Sequence, residues 1–332
     1  MIPIPLSTQS SLSAIRRVDL ARDLSAIASL IETCFPIHLD HDGQTYVAEM
    51  RKSAREMRLW QWLPNAMMME GGRAPGFVWE ENGCIIGNLS LIPLQESGRR
   101  VHLIANVAVA PQHRQRGIGR ALTEHALSYL REKKEKRVWL QVRDDNPPAL
   151  NLYRSLGLVE QSARSTWRVR PVDLDRSSGK SSGGVTIRRR KPEDWLQQKA
   201  WLDEAYPDVI RWNLPLDIQN LDPGLFQRTV NLIEGRSFKH WAVAEGEQLQ
   251  GVITWQKTTS HAHNLWLAFP EDIEKDYLSD ALADVCRRLA RHHPLSVDYP
   301  KGRFTEGFRA LGFEHFRTLV WMLCKLGKVS RD

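Results

Sequence analysis

Residues 101–134, VHLIANVAVAPQHRQRGIGRALTEHALSYLREKK, contain the clearest structural pattern of the chain. Its first nine residues, 101–109, form a continuous β-prone run, which is typical of a strand buried on both faces. Pro111 ends that run. Apolar residues then recur at helical spacing and predict a helix that begins near Gly117; they are Leu122, Ala126, Leu127 and Leu130. The order of strand, glycine-containing turn and helix indicates an α/β domain.

The turn between this strand and this helix has the character of an anion site. The first backbone N–H groups of a helix have no partner within it, and the helix dipole places partial positive charge there. Gly117 and Gly119 lack a Cβ atom, so a phosphate can approach the main chain closely. Three arginines in the same turn add full positive charges: Arg114, Arg116 and Arg120.

The charge of the chain is concentrated around this turn. The 332 residues carry a formal net charge of +7, and residues 99–143 alone hold eleven Lys or Arg against three acids. A local positive field favours an anionic ligand. No basic stripe interleaved with aromatic residues accompanies it, so nucleic acid is not an expected partner.

Outward from this stretch, the chain divides into two similar halves. Residues 173–184, DLDRSSGKSSGG, have the composition of a flexible linker. The linker separates residues 14–172 from residues 185–326, which leaves tails at 1–13 and 327–332. Each half opens with a short strand and an amphipathic helix, continues with a hairpin, and ends with a similar segment, SLGLVE at 155–160 and ALGFEH at 310–315. We interpret the repeat as duplication of one α/β domain.

A second motif follows the first in the N-terminal half. Residues 139–160, WLQVRDDNPPALNLYRSLGLVE, are typical of a strand, a turn and a helix. Asn146 is a good N-cap, Pro147 suits the first helical position, and Gly157 suits the helix end.

Both motifs resemble those of one family, the GCN5-related N-acetyltransferase (GNAT) superfamily. Arg114-x-x-Gly117-x-Gly119 is similar to its Q/R-x-x-G-x-G/A loop. The second motif is similar to a signature of the ribosomal-protein alanine acetyltransferase branch. The matching residues of that signature are Val142, Arg143, Asn146, Ala149, Leu152, Tyr153 and Gly157. The resemblance implies tandem acyl-CoA N-acyltransferase (GNAT) domains with mixed α/β sheets.

The resemblance also implies roles for individual residues. In the family the strand lends backbone groups to the pantetheine arm of acetyl-CoA, and the loop binds its pyrophosphate. The cofactor-binding positions carried over are Val107, Ala108, Val109, Arg114, Gln115, Arg116, Gly117, Ile118, Gly119, Arg120, Asn146 and Tyr153. Tyr153 is also the expected catalytic residue, as the general acid for the departing thiolate. Acetyl-CoA is the expected co-substrate, and no metal is expected.

The general base is where the chain departs from this pattern. Gln141 stands where the alanine acetyltransferase branch commonly has Glu, and an amide does not accept a proton usefully near neutral pH. An α-amine, with a pKa of about 7.7–8.0, is far more often neutral at that pH than a lysine side chain at about 10.4. We therefore expect a weakly basic acceptor amine, or a base elsewhere. The spare candidates are His38, His41 and His102.

The segment between the first helix and the hairpin, residues 37–76, allows two interpretations. It contains Trp60, Trp62 and a run of three methionines at 67–69. These side chains build either an apolar core or an adaptable wall of the acceptor pocket.

The second half has lost the features of the site. EDIEKDYLS, residues 271–279, stands where the phosphate loop should be, has no glycine, and is acidic enough to repel a pyrophosphate. Phe308 stands opposite Tyr153, without the hydroxyl. We predict a degenerate domain that binds no coenzyme A, with a helix over 278–291 packed through Leu278, Leu282, Val285 and Leu289.

The sequence therefore predicts an acetyl-CoA-dependent N-acetyltransferase that transfers acetyl by direct attack of a primary amine. The acceptor is a protein N-terminal α-amine or a small-molecule amine. The alternative is a non-catalytic acyl-CoA or CoA-binding sensor. Four scattered cysteines without a CxxC, and no visible secretory signal or membrane-spanning apolar run, favour a cytoplasmic protein without a membrane partner.

Overall fold

In a computed structural model, residues 101–134 adopt the predicted strand, turn and helix. The structure describes residues 15–35, 41–59, 76–96, 98–170, 185–212, 214–289 and 293–327. The predicted linker at 173–184 lies outside these ranges, as do the N-terminal tail and most of the C-terminal one. The described residues divide into two units.

The first unit comprises residues up to Val142, Asn146–Gln161, and the chain from Trp321 onward. Its strands are β1 (Ile15–Arg17), β2 (Gly76–Glu81), β3 (Cys84–Glu96), β4 (Arg99–Val109) and β5 (Arg137–Arg143). Its helices are α1 (Leu20–Cys34), α2 (His41–Leu59), α3 (Ile118–Glu132) and α4 (Pro147–Ser155). The strands follow the order β1-β2-β3-β4-β5. The first four are antiparallel to their neighbours, whereas β4 and β5 are parallel.

The second unit comprises Arg143–Asp145 and Ser162–Val320. After β6 (Val159–Val169), its strands are β7 (Thr186–Arg189), β8 (Phe238–Glu245), β9 (Gln248–Gln256), β10 (His263–Ala268), β11 (Leu295–Pro300) and β12 (Glu314–Lys325). Its helices are α5 (Trp195–Ala205), α6 (Asp208–Arg211), α7 (Leu225–Ile233), α8 (Lys275–Arg288) and α9 (Thr305–Ala310). The order β7-β8-β9-β10-β11, with only β10 and β11 parallel, repeats the topology of the first unit.

The units differ from the predicted division into residues 14–172 and 185–326, because each ends on a strand from the other half. Most of β6 belongs to the second unit, where Arg164–Val169 pair antiparallel with β11. The end of β12 belongs to the first unit, where it follows β5 in the sheet order. Both strands follow corresponding helices of a duplicated domain, so the local sequence does not specify which sheet each of them joins.

Helix α3 packs against the sheet of the first unit through its apolar face. Leu122, Ala126, Leu127 and Leu130, the four residues of the predicted apolar stripe, are all buried. Burying one such leucine contributes about 1.5–3 kcal/mol. A Cβ atom at Gly87 of β3 would come within 2.9 Å of Ile118 and 3.1 Å of Leu122. The glycine therefore lets the start of α3 lie directly on the sheet.

In the second unit, an aromatic ring covers the equivalent glycine. Phe269, which follows β10, is fully buried, and a Cβ atom at Gly251 would lie 2.1 Å from its ring. Helix α8 spans Lys275–Arg288, three residues earlier at each end than predicted, and buries Leu278, Leu282 and Val285. The packing role predicted for this helix is therefore confirmed.

We expect Gly251→Ala to destabilise the protein by about 1–3 kcal/mol, because the new methyl group would overpack against Phe269. Urea unfolding of the variant and the wild type measures this difference. The double variant Gly251→Ala/Phe269→Leu should recover part of the loss. An unchanged unfolding midpoint for the single variant would show that the ring moves aside freely.

Candidate functional site

The C-terminal end of β4 bends away from regular sheet geometry. Ala105 pairs with Ser90 and Ala108 pairs with Asn88, so β4 contains one residue more than β3 over this stretch. Asn106 lies inside this bulge with a φ of 50°. Bulges re-aim side chains and often lie beside functional sites. The bulge thus interrupts the ladder at Asn106 and Val107, as a strand that offers backbone groups to a ligand requires.

Two polar side chains hold the bulge in place. The buried Asn88 amide donates to the Asn106 carbonyl at 2.9 Å, and the Asn106 amide donates to the Tyr46 hydroxyl of α2 at 3.0 Å.

The pairing of β4 with β5 runs from His102↔Val138 to Ile104↔Leu140. Beyond Ile104, β4 pairs with β3 alone within this unit.

The turn after β4 has a backbone conformation that is typical of anion-binding turns. Gln115 and Gly117 have φ values of 63° and 79°, and such left-handed residues within a turn form an anion-binding concavity. Gly117 is the N-cap of α3 and supplies no side-chain acceptor to the first turn. The N–H groups of Ile118, Gly119 and Arg120 therefore have no partner in the helix. A Cβ atom at Gly117 would meet open space, so the turn is accessible from outside.

The three arginines of the turn are each held by protein groups. Arg114 Nε donates to the Val109 carbonyl at 3.2 Å. Arg116 forms an ion pair with Glu81 at 3.0 Å, which raises the pKa of its guanidinium. Arg120 donates to the Ser155 hydroxyl at 2.7 Å. In this structure Glu81 thus offsets part of the predicted positive charge.

The turn, the end of β4 and helix α4 come together in space. A Cβ atom at Gly119 would lie 3.8 Å from Val109 of β4 and 3.7 Å from Leu152 of α4. The hydrogen bond between Arg120 and Ser155 joins α3 and α4 at the same place. The two sequence motifs, separated by more than twenty residues, therefore meet at the start of α3.

Tyr153 lies on α4, beside Leu152 and almost completely buried. Burial raises the pKa of its phenol well above the ordinary value, so the group stays protonated at neutral pH. The Tyr153 hydroxyl forms no hydrogen bond with another described residue. Burial therefore makes this phenol a weaker acid than an ordinary tyrosine, and its role as proton donor stays a prediction.

Asn146 has the structural role that its position predicts. Its side chain accepts from Ala149 N at 3.2 Å and caps α4, and Pro147 begins the helix. The cap orients α4, which carries Tyr153. Its predicted contact with the cofactor stays a prediction.

Of the three histidines considered as a general base, the structure describes the side chain of His102 alone. His102 lies seven residues before Val109, about 23 Å away along an extended strand. It is buried next to Glu135, and burial lowers its pKa. The side chains of His38 and His41 lie outside the described residues, and so do Trp60, Trp62 and the methionines at 67–69.

Two residues near the site had no signal in the sequence. Tyr46 reaches Asn106 across 60 residues of chain. The Cys34 thiol at the end of α1 donates to the Val109 carbonyl at 3.3 Å, beside Arg114. Tertiary contacts alone bring these side chains to the end of β4.

The second unit has none of the corresponding groups at the start of α8. Glu274 is the N-cap of that helix, and Asp276 lies in its first turn. Phe308 is fully buried and stacked on Trp167 with 5.3 Å between ring centroids. Negative charge and apolar packing thus replace the features of the first unit.

Within the ranges that the structure describes, no three or more His, Cys, Asp or Glu side chains are grouped as a metal site would require. No helix in those same ranges is long and apolar enough to cross a membrane.

Residues 26–158 match the model of the acetyltransferase (GNAT) family. Streptothricin acetyltransferase of Streptomyces lavendulae is 44% identical over 56 residues, which are 17% of this chain and 30% of that protein. The ribosomal protein bS18 alanine N-acetyltransferase of Escherichia coli (strain K12) is 40% identical over 62 residues, 19% of this chain and 42% of that protein. The chain thus spans less than half the length of these curated relatives.

The fold match extends further than the sequence matches. The crystal structure of a GCN5-related N-acetyltransferase from Sphaerobacter thermophilus covers 94% of this chain and 95% of its own, with a TM-score of 0.52 and 14% identity. At that identity the match shows the fold, which therefore extends over both units. The predicted mixed α/β fold and family resemblance are confirmed.

Proposed function

Because residues 26–158 form a domain of the acetyltransferase (GNAT) family, we propose that the protein is an acetyl-CoA-dependent N-acetyltransferase. One observation carries the proposal: the interrupted end of β4, the first turn of α3 and helix α4, which carries Tyr153, meet at Gly119. The first two suit a pantetheine arm and its pyrophosphate, and the third suits a leaving thiolate.

The reaction needs no covalent enzyme intermediate. The neutral amine attacks the thioester carbonyl carbon, a C–N bond forms, and the C–S bond breaks. Tyr153 Oη gives its proton to the departing sulfur and then regains a proton from solvent, and the proton lost by the amine passes to solvent. Holding both reactants in one cleft contributes much of the rate by removing the entropy of their encounter.

The acceptor we propose is an amine that is partly neutral at physiological pH. Gln141 of β5 supplies no base, and His102 lies far from the end of β4. The names of the relatives span two acceptor classes, a small molecule (streptothricin) and an alanine of a ribosomal protein. An α-amine meets the pKa requirement without a strong base.

We propose one cofactor site per chain, formed by Val107, Ala108, Val109, residues 114–120, Asn146 and Tyr153. The acidic start of α8 and the ring of Phe269 over Gly251 argue against a second one. Calorimetric titration with acetyl-CoA should give a stoichiometry near one.

The test is incubation of the full chain with acetyl-CoA and a panel of amines, read as release of free thiol. The panel contains peptides with N-terminal alanine, the same peptides with blocked α-amines, free lysine, and streptothricin. Thiol release that depends on a free amine supports the transferase. Binding of acetyl-CoA without thiol release from any amine would favour the sensor instead.

Glu81→Gln should tighten acetyl-CoA binding about two- to fivefold, because Arg116 would lose its exposed carboxylate partner and could pair with a phosphate. Calorimetry at low and at high salt measures the change, which salt should reduce. The control is Glu160→Gln, which releases Arg154 from a similar exposed pair on α4. Equal affinities for Glu81→Gln and the wild type would place Arg116 outside the phosphate contacts.

A further inference from the structure

The second unit contains a cavity of about 580 Å³ beside α7, the end of β7 and the start of β8. We call it the β8 cavity. Its lining holds one carboxylate, Asp222, and the following cations: Arg189, Arg190, Arg228, Arg236, Lys239 and Arg288. Its size is within the range of small-molecule sites. A concave surface with this excess of one charge raises the local concentration of anions.

Most of this charge is not balanced by the protein. Arg236 pairs with Glu234 at 2.6 Å, and Arg288 pairs with Asp284 at 2.6 Å. Arg189, Arg190, Arg228 and Lys239 form no ion pair with any described carboxylate. Two of them lie over aromatic rings, Lys239 Nζ 5.0 Å from the Trp255 centroid and Arg190 Cζ 5.5 Å from the Trp195 centroid. Four cations that face one cavity without carboxylate partners repel one another, and a bound anion would relieve that repulsion.

Arg190 is anchored on one side only. Its Nη1 donates to Gln198 Oε1 at 2.7 Å and to the Leu221 carbonyl at 2.7 Å. Gln198 is fully buried and in turn donates to the buried Thr254 hydroxyl at 3.0 Å. Nε and Nη2 of Arg190 have no acceptor in the described part of the chain. The network thus fixes the guanidinium of Arg190 through Nη1. Its Nε and Nη2 remain available, and these two donors can bind a tetrahedral oxyanion in bidentate fashion.

The pKa of His240 is lowered by burial and by the positive charges that line the cavity. Burial, followed by Arg190, Arg189 and Arg228, lowers its pKa to about 3. The ring is therefore neutral at pH 7, and its Nδ1 lies 2.9 Å from Thr254 Oγ1. Burial, with Arg228 beside it, also lowers the pKa of Arg190, to about 10, so this guanidinium keeps its charge at pH 7.

We propose that the β8 cavity binds a ligand through a multiply charged phosphate group. The carrying observation is the buried network that presents one side of Arg190 to a cavity with three more unpaired cations. This site shares no residue with the proposed acetyl-CoA site, and it does not depend on that proposal.

The phosphate could belong to a free metabolite or to a lipid headgroup. Helix α7 forms one wall of the cavity and carries strongly exposed apolar side chains, Leu225, Phe226, Leu232 and Ile233. A headgroup would bring these side chains to a membrane surface, whereas a free phosphate would not use them.

The test is calorimetric titration of the full chain with inorganic tripolyphosphate. Arg228→Glu should weaken binding at least tenfold, since a charge-assisted contact becomes a repulsion. Arg228 is exposed on α7, so the variant should fold, and Arg189→Glu provides a second one. The matched control is Lys275→Glu on α8, an exposed cation of the same unit outside the cavity, which should bind as the wild type does.

Vesicles of phosphatidylcholine, with and without a phosphoinositide, distinguish the two sources. Binding to phosphoinositide vesicles that Phe226→Ser reduces, with tripolyphosphate binding unchanged, assigns the phosphate to a lipid headgroup. Tripolyphosphate binding that Arg228→Glu weakens, without any vesicle binding, assigns it to a free phosphate. The proposal would be overturned if neither tripolyphosphate nor the vesicles bind. It would also be overturned if binding is reduced only by Arg114→Gln and Arg116→Gln, which lie in the first unit.

Discussion

Tyr153→Phe should lower kcat for acetyl transfer about 100-fold, the lower end of what a positioned general acid contributes. The KM for acetyl-CoA should change little, because the ring and its packing on α4 remain. The substitution removes no hydrogen bond to a described residue, so stability should be preserved. Release of free thiol at saturating acetyl-CoA measures the effect.

The matched control for this variant is Tyr129→Phe. Tyr129 lies on α3, about 18 Å along the helix from Gly117, and its hydroxyl accepts from Arg17 Nη2 at 2.7 Å. The kcat of Tyr129→Phe should equal that of the wild type. If Tyr153→Phe keeps more than half of the wild-type kcat, the phenol only packs, and another group protonates the sulfur.

The pH dependence gives an independent check on Tyr153. Burial raises the pKa of the phenol, so the group keeps its proton through pH 10, where an ordinary tyrosine titrates. The wild-type rate should therefore not fall with an apparent pKa near 10. Such a fall, absent from Tyr153→Phe, would show that solvent reaches the hydroxyl.

Gly117→Val should weaken acetyl-CoA binding roughly 10- to 150-fold, the equivalent of about 1.5–3 kcal/mol for one charge-assisted hydrogen bond. Gly117 has a φ of 79°, which a β-branched residue adopts only at a high cost. The substitution would turn the first N–H groups of α3 away from a phosphate and place a branched side chain beside them. Calorimetry with acetyl-CoA measures the loss.

Gly98→Val separates this effect from backbone strain. Gly98 lies in the turn between β3 and β4 with a φ of 74° and, like Gly117, has open space at its Cβ position. Both variants should lose similar stability in urea unfolding, and Gly98→Val should keep its affinity for acetyl-CoA. Equal losses of affinity would mean that the strain, not the position, causes the effect.

Local pattern predicted the elements around the site closely. The run at 101–109 became β4, the helix expected near Gly117 begins at Ile118, and Asn146 caps α4 as its position suggested. In each case the determining interactions lie within a few residues along the chain.

The contacts that complete the site could not be predicted in this way. Neither the bulge at Asn106, nor its bond to Tyr46, nor the pairing of Arg116 with Glu81 leaves a periodic mark in the sequence. Each depends on where a distant element packs. The β8 cavity is of the same kind, because its cations come from segments as far apart as Arg189, Arg228 and Arg288.

Local sequence alone predicts a duplicated α/β domain whose first copy has a turn with two glycines and three arginines and whose second copy has an acidic segment in its place. Periodicity, capping and glycine placement act over a few residues, and these properties follow from them. Which strand completes which sheet depends instead on how distant segments pack. Since β6 and β12 follow equivalent helices, both satisfy the same local rules, and only the packed sheet selects between them. Likewise, only packing decided which arginines meet a carboxylate and which remain available to an anion.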